Sequence, residues 1–134
     1  MKFEVRDKQF DITFVNNWVR EKYQEMLEAV DDLTELPDKA QAVEDEEKLD
    51  GRGRLKALRE IQKQQRALVR SIAEMRGAMV RELLETNGYE YDEKWWSRKT
   101  DADDMNDFAL GCVQKDVKRE GDAKKKRRST ATDS

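Results

Sequence analysis

Residues 54–85 read RLKALREIQKQQRALVRSIAEMRGAMVRELLE, and this stretch decides the fold class. Leu55, Leu58, Ile61, Leu68, Ile72, Met75, Met79 and Leu83 recur every three or four residues. That spacing draws one apolar stripe along a helix of more than thirty residues, with charged side chains around the rest. Gln65 stands where the stripe calls for an apolar side chain, as in coiled coils that set register with a single polar position. Asn87-Gly88 supplies the stop, because Gly accepts the left-handed conformation that closes a helix. The spacing therefore predicts a long helix from Arg54 to Glu85.

Towards the N-terminus the period changes. Phe3 and Val5 alternate with Glu4 and Arg6, and Phe10, Ile12 and Phe14 repeat the pattern. Alternation is the mark of a strand with one buried face. A turn at Asp7-Lys8 pairs Val5 with Phe10 and Phe3 with Ile12 in a short hairpin. A helix follows, capped by Asn16 or Asn17. Its inner face carries Val15, Trp18, Val19, Tyr23, Met26, Leu27, Val30 and Leu33. Pro37 is expected to end it at or before Leu36, since proline lacks the N–H and clashes with the preceding turn. Residues 31–50 hold nine Asp/Glu against two Lys. The region near 36–53 is expected to be an acidic linker or a short exposed helix.

Beyond Gly88, an aromatic loop runs through Tyr89, Tyr91, Trp95 and Trp96. Thr100 with Asp103 looks like the start of a last helix over 101–117, with Met105, Phe108, Ala109, Cys112, Val113 and Val117 facing inward. Residues 118–134 lose periodicity and read as a disordered basic tail. The expected architecture is mainly α: one domain over 1–117, built from about three amphipathic helices and an N-terminal β-hairpin.

Composition narrows the function. The chain has 134 residues, 43% of them charged, and a formal net charge of −3. Residues 118–134 carry seven Lys/Arg against three Asp/Glu, so the rest of the chain is acidic. Phosphate binding needs a basic surface, which makes nucleic acid an unlikely partner of this body. Histidine is absent, which removes the commonest general base and metal ligand. Cys112, the single cysteine, lies in an apolar stripe without a histidine to activate it. Asp101, Asp103 and Asp104 lack the spacing of a calcium loop and suit a helix N-terminus instead. No catalytic residue, cofactor or metal site is expected, and the chain reads as a non-enzyme. No apolar run is long enough to span a bilayer, and Met1-Lys2-Phe3-Glu4 does not begin a signal peptide. A cytoplasmic location is expected.

The residues best suited to bind a partner or build an oligomer are Leu55, Leu58, Ile61, Leu68, Ile72, Met75, Met79 and Leu83, together with Trp95 and Trp96. Trp is enriched at binding hot spots, although a tryptophan pair in so polar a chain also suits the core. A self-associating helical scaffold and a regulator that touches nucleic acid through its basic tail are the alternative readings.

The segment Asn87-Gly88-Tyr89-Glu90-Tyr91-Asp92-Glu93-Lys94-Trp95-Trp96, the run Thr100-Asp101-Ala102-Asp103-Asp104-Met105-Asn106-Asp107-Phe108 and the ending Gln114-Lys115-Asp116 carry a resemblance. They resemble the tail assembly chaperones of long-tailed bacteriophages, by motif over about a third of the chain and by layout over the rest. The resemblance implies a chaperone in the bacterial host cytoplasm that binds the tape measure protein. It implies that the chaperone keeps this long helical client soluble, helps recruit tail-tube subunits and is missing from the mature virion. It also implies a longer form made by a −1 ribosomal frameshift. A slippery A-AAA-AAG heptamer encodes consecutive lysines, and Lys124-Lys125-Lys126 is such a run near the end of the sequence.

Overall fold

The alternating start folds as two strands, β1 (Lys2–Val5) and β2 (Lys8–Asp11), paired antiparallel. The computed structural model describes residues 1–116. The basic tail over 118–134, with Lys124–Lys126, and Val117 lie outside the described residues. Among the described residues four helices follow the hairpin: α1 (Asn17–Asp45), α2 (Gly51–Thr86), α3 (Glu93–Lys99) and α4, which is helical over 102–116. The architecture is mainly α with an N-terminal hairpin.

The hairpin register differs from expectation by two residues. Phe3 pairs with Phe10 and Val5 with Lys8, so the turn is Arg6-Asp7. A shift of two keeps every side chain on its face, and Val5, Phe10 and Ile12 are all buried. Arg6 takes a φ of 57° in that turn. A side chain disfavours this conformation, and the position is held by the Arg6 guanidinium against Asp104 at 2.7 Å.

Pro37 does not end α1. The helix runs through it to Asp45, and residues 36–45 are helix rather than linker. The proline removes one helical hydrogen bond, a local cost of about 3 kcal/mol. Leu33, Leu36 and Ala40 meet Leu58 and Ile61 of α2 around one groove, and Leu36 is buried. Fully burying a leucine such as Leu36 returns about 1.5–3 kcal/mol, and the half-buried Leu33 and Ala40 add to it, which together offset the proline. We expect Pro37→Ala to raise stability by about 1–2 kcal/mol, measured as a higher urea midpoint at constant slope. An unchanged or lower midpoint would show that the ring itself packs usefully in the groove.

The turn at 46–50 leads into α2, which begins at Gly51, three residues before expectation. Asp50 Oδ1 accepts from Gly53 N at 2.6 Å and caps it. At the other end Gly88 has φ 85°. Gly88 N donates to Glu85 O and Tyr89 N to Leu84 O, the paired bonds of a Schellman closure. The expected aromatic loop contains α3, a single short helix capped by Asp92, whose carboxylate accepts from Trp95 N.

The chain divides into two compact units: Met1–Tyr23 with the chain from Arg76 onward, and Gln24–Met75. In unit 1, Ile12, Val19, Met79, Val80, Leu83 and Leu84 are fully buried, with Trp96, Phe108, Cys112 and Val113 beside them. Unit 2 consists of the distal part of α1 and the proximal part of α2, and buries only Met26 and Leu36. The expected inner face of α1 is incomplete in each unit, with Trp18 of unit 1 40% and Leu27 of unit 2 37% exposed.

Candidate functional site

Unit 1 is organised around Phe10. Its ring stacks on Trp96 at 5.8 Å and meets Tyr89, Trp95 and Phe108 edge-on. Trp96 also touches Trp95, Tyr91 and Phe108. Lys8 Nζ lies 4.4 Å from the Trp95 ring, a cation–π contact on the hairpin side. Trp96 therefore belongs to the core, while Trp95 is half-buried against the hairpin.

Asn87 joins this cluster to the start of the chain. Its Oδ1 accepts from Thr13 N at 2.9 Å and Phe14 N at 3.0 Å. Its Nδ2 donates to Phe14 O at 2.8 Å and Leu83 O at 2.7 Å. One side-chain amide thus pairs with the backbone between β2 and α1 as a neighbouring strand would. Asp11 N donates to the Tyr89 hydroxyl at 2.7 Å. Asn16 caps α1 through Val19 N and reaches Glu82 with its Nδ2. The residues of the segment 87–96 accordingly have local structural work: Asn87 clips, Gly88 closes, Tyr89 accepts, Asp92 caps and Trp96 fills the core.

The acids at the last helix also work structurally. Asp101 and Asp104 cap one another's N–H reciprocally, one residue later than the expected Thr100 and Asp103. The Thr100 hydroxyl instead donates to Trp96 O. The bond from Asp101 N, then Arg6, holds the Asp104 carboxyl below its ordinary pKa. Among the described residues no His/Cys/Asp/Glu group is placed to hold a metal ion. Cys112 is fully buried, and desolvation pushes its thiol up to about 12. A thiol in that state is a poor nucleophile.

The stripe on α2 is divided between the two units. Met79 and Leu83 are fully buried in unit 1 and present no surface to a partner, as does Trp96. Ile72 and Met75 are half-buried in unit 2. Leu58 and Ile61 line a groove of about 400 Å³ with Leu33, Leu36, Pro37 and Ala40 of α1, and Glu44, Gln62 and Gln65 complete its lining. Gln65, the polar interruption, is thus a groove wall. A second groove of about 400 Å³ shares Leu36 and is lined by Asp32, Lys39, Gln64, Ala67 and Leu68. Leu55 is 51% exposed. An apolar hollow walled by two helices accepts side chains spaced three or four residues apart on a third helix.

Sequence reasoning missed one surface. Phe14 is 57% exposed beside Trp18, and both border a hollow with Asn17 and Arg20. Their four-residue spacing is the signal in the sequence, and it competes with the alternation of Phe10, Ile12 and Phe14 and the helical period at Trp18, which point both residues inward. No helix among the described residues is long and apolar enough to cross a membrane. Neither a family model, nor a curated protein, nor a solved structure matches the chain.

Proposed function

We propose that this protein is a non-catalytic chaperone for a helical client, of the tail assembly kind that its C-terminal motif resembles. In that role it binds the tape measure protein in the host cytoplasm, keeps it soluble and helps recruit tail-tube subunits, without remaining in the virion. The observation that carries the reading is the groove of Leu33, Leu36, Pro37, Ala40, Leu58 and Ile61. It lies in a layer only two helices deep that buries just two of its own side chains. Such a layer leaves apolar surface for a third helix to cover.

Apolar contact supplies the affinity, so binding persists at moderate salt. Glu44, Gln62 and Gln65, the polar part of the groove lining, meet the client's polar positions. The test is co-expression with the tape measure protein encoded by the same phage or prophage genome. The client is expected to become soluble and to co-purify. Ile61→Asp, at a half-buried groove position, is expected to weaken the complex at least tenfold and to leave helicity intact, since it costs the free chain little burial. A client that stays insoluble with the wild-type chain, or binds the variant equally well, would refute this function.

A further inference from the structure

Charge in unit 2 is sorted onto two opposite edges. A short turn joins α1 to α2, and the helices run antiparallel: one shared groove joins residues 33–44 to 58–65, the other 32–39 to 64–68. A helix turns by about 100° per residue. On that rotation Glu28, Asp31, Asp32, Glu35 and Asp38 fill an arc of α1 roughly opposite the groove-lining Leu33, Leu36, Pro37 and Ala40. On α2, Arg52, Lys56, Arg59, Lys63, Arg66 and Arg70 alternate steps of four and three, which holds them to one narrow arc. That arc lies across the helix from Leu58, Ile61 and Gln65 of the groove. The acids therefore form one outer edge of the helix pair, and the bases form the other. All of these charged side chains are exposed. Among the described residues no ion pair joins the two edges.

The edges also agree in height. Counted from Lys48 in the middle of the turn, Glu28 lies 20 residues before it and Arg70 22 after it. Asp32 and Arg66 lie 16 and 18 away, Glu35 and Lys63 13 and 15, Asp38 and Arg59 10 and 11. Each acid is thus level with one base to within two residues, about 3 Å along a helix. Arg and Lys side chains span such an offset. Solvation of the two edges does not require this agreement.

We propose that unit 2 associates side by side with further copies of itself, the acidic edge of each copy lying along the basic edge of the next. Shifting a copy sideways without reversing it sets its α1 beside its neighbour's α2, antiparallel and level. Glu28, Asp32, Glu35 and Asp38 then meet Arg70, Arg66, Lys63 and Arg59. The occupant is a second copy because the same chain carries both members of every pair at matching heights. Since the two edges face away from each other, the contact is heterologous: each copy gives its acidic edge to one neighbour and its basic edge to another, and growth does not stop at two. A nucleic acid would use the basic edge alone and leave the match in height without a role. Single exposed ion pairs are weak, so the row depends on all four acting together and on low salt. The proposal does not rest on the client reading.

Sedimentation of the full chain from about 50 to 500 μM tests it, in about 20 mM and about 500 mM sodium chloride. At low salt the average mass is expected to rise with concentration past that of a dimer. At high salt the association is expected to weaken at least tenfold. Asp32→Lys with Glu35→Lys blocks the acidic edge, and Lys63→Ala with Arg66→Ala blanks the basic one. Each doubly substituted chain alone is expected to be monomeric, with helicity checked by circular dichroism. An equimolar mixture keeps one working edge of each kind and is expected to stop at a one-to-one pair. A wild-type chain that is monomeric at low salt overturns the proposal, as does one that stops at a dimer. Association that tightens with salt, or variants that do not pair when mixed, overturns it too. Client binding is expected to survive in both variants, which separates failure of this association from failure of the chaperone reading.

Discussion

Trp96→Ala is expected to cost unit 1 about 3–5 kcal/mol, enough to unfold it or nearly so at 25 °C. The residue is 2% exposed and touches Phe10, Tyr91, Trp95 and Phe108. Removing the indole deletes its transfer free energy and leaves a hole whose rim comes from the hairpin, α3 and α4. Short elements of this kind collapse poorly around a void, because each is fixed by the same cluster. Cys112 supplies a local readout. In the wild-type chain the thiol is fully buried and protonated, and it should resist a thiol reagent until denaturant is added. In the variant the same reagent should react in buffer alone. Trp96→Phe, which keeps an aromatic ring, should lose much less. A Trp96→Ala chain with wild-type stability and an inert thiol would mean that the aromatic cluster is not what holds unit 1.

Asn87→Ala is expected to lose about 2–3 kcal/mol, far more than an alanine change near a surface usually does. The amide makes four close bonds to main-chain groups of Thr13, Phe14 and Leu83. Part of each is recovered by water, which keeps the estimate below the sum of four full bonds. Asn87→Asp is the sharper control. It retains the acceptor for Thr13 N and Phe14 N but turns a carboxylate oxygen towards Phe14 O and Leu83 O. It should therefore be at least as harmful as alanine near neutral pH. Denaturant melts of the three chains check this, and an aspartate chain as stable as the wild type would show that the Nδ2 bonds contribute nothing.

The parts of the fold that were legible are those in which one physical signal acts alone. Alternation around Phe3, Val5, Phe10 and Ile12 gave a hairpin, and Gly88 marked the end of α2. Competition between signals obscured the rest. At Pro37 a local penalty opposed the burial of Leu33, Leu36 and Ala40, and only the partner helix reveals which is larger. The register of β1 and β2 moved by two because both alignments bury the same face. The seven residues of α3 are too few to show a period, and their cap Asp92 looks like any acid in a loop. The candidate surface was partly legible for a related reason. Periodicity shows that Leu58, Ile61, Met79 and Leu83 share a helix face, but not what covers it. The core of unit 1 covers the last two, and the first two line an open groove.

The Asn87 clip has a consequence for how the chain is made. Thr13 and Asn87 are 74 residues apart, and Arg6 and Asp104 are 98 apart. Unit 2 lies wholly between the segments of unit 1, and its helices are joined by a turn of a few residues. Near-neighbour contacts form early and distant ones late. During synthesis at about 5–20 residues per second, the hairpin waits roughly 4–15 s after Thr13 before Asn87 is even added. A lone two-stranded hairpin is marginal in water, so throughout that interval Val5, Phe10 and Ile12 have no core to enter. The nascent chain thus completes the helix pair of unit 2 first and its aromatic core last. Truncation anywhere before Asn87 leaves the first two dozen residues without a fold.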